Sequence, residues 1–111
     1  SIYTPNFIEL YSNLGTGGNK TIDLRIANNF KYIANANVTY TFTNPPTSPK
    51  GFGFTLVYVN GGNFTTTWPV GVKWASGIAP ALTANGTDIL VFYTYDGGTS
   101  YYGFLSAANL S

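Results

Sequence analysis

The chain contains no cysteine, no histidine and no methionine, and its charge is confined to five Lys or Arg and four Asp or Glu. Without cysteine there is no disulfide framework, no thiolate nucleophile and no cysteine-held zinc or iron–sulfur site. Without histidine the commonest general base and metal ligand is missing as well. These absences point away from an enzyme and from a bound cofactor or metal. The formal net charge is +1 and the basic residues are scattered, so no phosphate-tracking surface for DNA or RNA is expected. No apolar run reaches the length of about 18 residues that a membrane helix needs, and no charged segment leads into an apolar one as in a signal peptide. At 111 residues the chain reads as one domain, with residues 1–5 as a linker arriving from a longer chain. A stable extracellular protein of this size without disulfides needs another source of strength, and oligomerisation is the obvious one.

What the chain has instead is eight Phe, nine Tyr, two Trp, 13 Gly, 15 Thr and 12 Asn. Apolar and aromatic residues recur at a period of two, the signature of strands, and no long stretch keeps a helical period. Ile22, Leu24 and Ile26 share one face against Thr21, Asp23 and Arg25, and Val38, Tyr40 and Phe42 oppose Thr39, Thr41 and Thr43. Both segments read as half-buried antiparallel strands. Phe52, Phe54, Leu56 and Tyr58 form a further stripe with Val57 and Val59 on the reverse, and Ile89 to Tyr95 are apolar on both faces. Strands of that kind imply surface buried between subunits as well as within one. Phe64, Thr66 and Trp68 continue the pattern up to Pro69, which ends a strand or places it at an edge. Asp96-Gly97-Gly98 predicts a hairpin into Tyr101, Tyr102 and Phe104, and Asn60-Gly61-Gly62-Asn63 and Gly17-Gly18-Asn19 read as further turns. The expected fold is all-β, an antiparallel β-sandwich or jelly roll of about seven or eight short strands, or a small barrel.

Few residues offer chemistry. Asp88 and Asp96 flank one strand and stand about 26 Å apart if it is extended, too far for the paired carboxylates of a glycosidase. Asp96 reads first as a turn former. Asn-x-Thr or Asn-x-Ser triplets begin at Asn19, Asn37, Asn63, Asn85 and Asn109, a pattern that abundant Asn and Thr generate by composition. Exposed Tyr and Trp stack on sugar rings, whereas buried ones fill a core. Tyr40, Phe42, Phe52, Phe54, Phe92 and Phe104 lie on apolar stripes and read as core, with Trp68 and Trp74 as buried anchors around a bend. Tyr95 and Tyr101 bracket the Asp96 turn and are the aromatics placed to reach solvent at a loop end, although cross-strand pairing is the first role to expect of them even there. Tyr95, Asp96 and Tyr101 are therefore the candidate binding residues.

The ordered set Asn44-Pro45-Pro46, Gly61-Gly62, Trp68-Pro69, Val72-Lys73-Trp74, Ala79-Pro80, Asp88-Ile89-Leu90, Asp96-Gly97-Gly98-Thr99 and Tyr102-Gly103-Phe104 resembles a module of tailed-bacteriophage virion proteins, especially tail-fibre and other particle-surface proteins. The resemblance implies a structural or adhesive role on the virion surface, a homotrimer, contacts with other virion proteins, and no catalytic residues. Within that class a capsid decoration protein that clamps neighbouring capsid subunits is the alternative. From a different class comes a stand-alone carbohydrate-binding module using Tyr95, Asp96 and Tyr101 to hold a host-surface glycan. A small hydrolase built on Asp88 or Asp96 is the reading the residues favour least.

Overall fold

Period-two alternation becomes nine strands among residues 8–111, the part of the chain that this computed structural model describes. The linker expected at 1–5 lies outside the described residues. The strands are β1 (Tyr11–Gly15), β2 (Lys20–Asp23), β3 (Asn29–Ile33), β4 (Val38–Thr43), β5 (Phe52–Val59), β6 (Thr66–Thr67), β7 (Val72–Lys73), β8 (Thr87–Thr94) and β9 (Tyr101–Leu110). One sheet has six strands in the order β1-β3-β5-β8-β9-β7, and the other has three in the order β2-β4-β6.

The all-β expectation holds, but the antiparallel pairing expected along the whole chain does not. From β1 to β6 the chain alternates between the sheets, and each return lays a strand parallel to the one before last. Parallel neighbours need a crossover connection, and here the crossover is itself a strand of the other sheet. Only β5, β8 and β9 pair antiparallel with one another. The β8–β9 hairpin around Asp96 forms as predicted. The Gly17-Gly18 and Gly61-Gly62 segments instead carry the chain from one sheet to the other. β2 also stops early: the Asp23 carbonyl accepts the Ile26 N–H and its carboxylate accepts the Arg25 N–H. That turn leaves Ile26 exposed where the stripe put it beside Ile22 and Leu24.

Successive windings are tied by a repeated asparagine contact. Asn19 immediately precedes β2, and its side-chain oxygen accepts the Thr39 N–H at 3.1 Å. Asn37 immediately precedes β4 and accepts the Thr65 N–H at 2.9 Å. Each recipient is the threonine of the next Asn-x-Thr triplet. These triplets mark equivalent positions on successive windings, a role that a compositional reading hides. The third triplet departs from the series, because Asn63 pairs with Asn85 through two hydrogen bonds.

Aromatic side chains from both sheets meet in the core. Tyr32, Tyr40 and Tyr58 contact one another with ring centroids 5.7–5.9 Å apart. Phe42 reaches Phe54 at 5.1 Å and Phe92 at 5.3 Å, so β4 of the small sheet packs across β5 and β8 of the large one. Tilted and edge-on pairs of this kind add about 0.5–1.5 kcal/mol each beyond their area. The Tyr32 hydroxyl donates to the Gly17 carbonyl and the Tyr58 hydroxyl bonds Thr66 Oγ1. The Tyr40 hydroxyl is buried with no hydrogen-bond partner among the described residues. Of the aromatics read as core, Tyr40, Phe54 and Phe92 are fully buried, and Phe42, Phe52, Trp68 and Trp74 pack against them. Phe104 is the exception: it is half exposed, because its face of β9 points outward.

Candidate functional site

The predicted site residues do not share a surface. Asp96 holds the β8–β9 turn, accepting the Thr94 hydroxyl at 3.1 Å and the Ser100 N–H at 3.0 Å. The Ser100 N–H is the main cause that holds its carboxyl below the ordinary Asp value. Tyr95 is exposed and stacks on Tyr102, with centroids 5.9 Å apart, planes 11° apart and hydroxyls 3.5 Å apart. The Tyr102 hydroxyl is the main reason its phenol titrates above the ordinary value. Tyr101 lies on the other face of β9. It is 4% exposed, sits against Phe42 at 5.0 Å, and is pushed up by burial. The expectation that Tyr101 reaches solvent is thus corrected: the strand period turns Tyr101 inward and Tyr102 outward.

The residue that sequence reasoning missed is Tyr102, and the register supplies the signal. Tyr93 opposes Tyr102 across the hairpin, and Val91 opposes Phe104. The Val91–Phe104 row continues into β5 at Thr55, and another outward-facing row runs from Lys31 in β3 through Val57 in β5 to Ile89 in β8. The outer face of the large sheet therefore presents half-buried Val57, Val59, Ile89 and Val91 beside exposed Tyr93, Tyr102 and Phe104. Lys31 brings a charge to the margin of this patch.

A cleft of about 240 Å³ forms a second feature. Phe64, Thr66 and Trp68 line it from one segment, Pro80 and Leu82 line it from another, and buried Gly61 and exposed Gly62 lie between them. Trp68 is held rigidly. Tyr40 stacks on it at 5.0 Å, and Trp74, Phe92 and Tyr58 contact it at 5.4–6.1 Å. The segment carrying Leu82 is fixed by Asp88, which is fully buried and accepts the Thr83 N–H and hydroxyl and the Asn109 N–H. Asp88 is thereby committed to the scaffold, at the opposite end of β8 from Asp96. Gly62 comes so close to this segment that an added Cβ would stand 2.3 Å from the Leu82 carbonyl oxygen.

Among the described residues no group of three or more His, Cys, Asp or Glu converges as metal ligands do. No helix among them is long and apolar enough to cross a membrane. No protein family, curated protein or solved structure matches the chain.

Proposed function

We propose that the chain is a non-enzymatic structural module of a bacteriophage particle surface, of the tail-fibre or receptor-binding kind, working as a homotrimer in contact with other virion proteins. The observation that supports this reading is the outer face of the large sheet. Val57, Val59, Ile89, Val91 and Phe104 form an apolar patch with Lys31 and Lys73 at its two margins. Contiguous apolar surface of this kind marks an interaction site, and a closed ring of identical copies covers it without leaving an open, fibre-forming contact. The reading treats the two sheets as stacked in a sandwich-like pair, supported by the Tyr32–Tyr40 and Phe42–Phe92 contacts between them.

Light scattering at micromolar and nanomolar concentrations tests the assembly. A trimeric mass that persists on dilution and collapses to the monomer in Val91→Lys is the expected result. A monomer at both concentrations would overturn it. Imaging the chain on the shell rather than the tail of a particle would move the reading to capsid decoration.

A further inference from the structure

The cleft beside Trp68 is shaped before any ligand arrives, and we infer that it binds one neutral pyranose ring. Its volume of about 240 Å³ lies below the range of about 300–1,000 Å³ that suits drug-sized ligands, which limits the occupant to roughly one ring. Its aromatic wall, Phe64 and Trp68, suits the C–H face of a sugar. Thr66 Oγ1, a hydroxyl that keeps hydrogen-bonding capacity beyond its bond to Tyr58, and the backbone of exposed Gly62 offer polar partners for hydroxyl groups around that face.

The wall is also rigid. Trp68 is packed by four aromatic rings, and its neighbour Thr66 is tied to the Tyr58 hydroxyl at 2.5 Å. The facing segment is locked by the Thr83–Asp88 and Asn63–Asn85 hydrogen bonds. Preorganisation of this kind lowers the entropic cost of holding a small ligand. Among the described residues no ionisable side chain lines the cleft, so a carboxylated sugar finds no cation from them. None of the lining residues belongs to the outer sheet face, so sugar binding and assembly fail or succeed independently.

The test is a titration of the isotopically labelled protein with D-glucose, D-galactose, D-mannose, N-acetyl-D-glucosamine and N-acetylneuraminic acid, followed by NMR shift mapping. A neutral sugar is expected to give saturable shifts centred on Gly61, Gly62 and the Trp68 indole. N-Acetylneuraminic acid is expected to give none. Phe64 is partly exposed, so Phe64→Ala is expected to leave the spectrum folded while weakening binding about tenfold, the loss of one aromatic contact. Tyr95→Ala is expected to leave the affinity unchanged. Absence of saturable shifts with all four neutral sugars overturns the inference. So does binding that survives Phe64→Ala but disappears in Tyr95→Ala, because the sugar then sits on the hairpin. A preference for the acidic sugar also overturns it.

Discussion

Asp88 accepts both the backbone N–H and the hydroxyl of Thr83, each at 2.7 Å, and a third bond comes from the Asn109 N–H at 3.0 Å. A fully buried carboxylate is tolerated only when hydrogen bonds replace its lost water, and here they join the start of β8 to both the 80s segment and the end of β9. Removing the carboxylate strands those donors. Asp88→Ala is expected to lower stability by about 3 kcal/mol, with Asp88→Asn intermediate because one of its positions can still accept. Urea unfolding of the three proteins measures it. A loss within error of zero would mean that water replaces the carboxylate and that the 80s segment is held by other contacts.

Asn37 offers a cleaner reading of the winding itself. Its side chain caps the Thr65 N–H as Asn19 caps the Thr39 N–H, and both bonds sit between windings rather than within one. Asn37→Ala is expected to cost about 1 kcal/mol, the net value of one such bond, while Asn35→Ala removes only the contact to the Gly17 N–H near the first winding. The double variant Asn19→Ala/Asn37→Ala is expected to lose more than either single one. Shifts in the urea midpoint check this, and equal stability in all variants would show that strand pairing alone holds the windings.

Strand positions were legible because a sheet with one buried face writes its period directly into the residues. Ile22, Tyr40, Phe54 and Leu56 alternate and are buried. Pairing direction was not legible, because alternation records which face is buried and is silent about which neighbour lies alongside. The Asp96-Gly97-Gly98 turn did announce its hairpin, since a tight turn leaves the two strands no choice but to run antiparallel. Gly61-Gly62 carries similar glycines to another end: a short 3-10 turn (Gly61–Asn63) leads away into the second sheet. The binding candidates divided in the same way. Tyr95 was rightly placed at an exposed loop end, but a tight turn offers no way to decide from sequence which of Tyr101 and Tyr102 faces out until the register is known. The cleft was illegible altogether, because Phe64 and Leu82 are brought together by links between segments far apart in the chain, the Gly62 N–H to the Thr83 carbonyl and the Asn63–Asn85 pair.

Tyr40 ties the core to alkaline pH. Burial is the main cause that pushes its phenol far above the ordinary value, with the neighbouring Tyr58 adding to it. Burial also raises Tyr58 and Tyr32. The folded state therefore holds these protons more tightly than the unfolded chain does. Stability from them is fully present below the unfolded tyrosine value near 10, and it declines as pH rises above that point toward the folded values. The Tyr40 hydroxyl makes no hydrogen bond among the described residues, so Tyr40→Phe is expected to leave stability at pH 7 unchanged or raised by up to about 1 kcal/mol. The same variant is expected to lose stability less steeply between pH 10 and 12. Tyr58→Phe removes a hydroxyl bonded to Thr66 and is expected to cost about 1 kcal/mol at pH 7. Urea midpoints at pH 7, 10 and 11 distinguish the two variants. A marked loss in Tyr40→Phe at neutral pH would show that its hydroxyl has a partner in solution, a buried water between Tyr40 and Tyr58 being the direct one to seek.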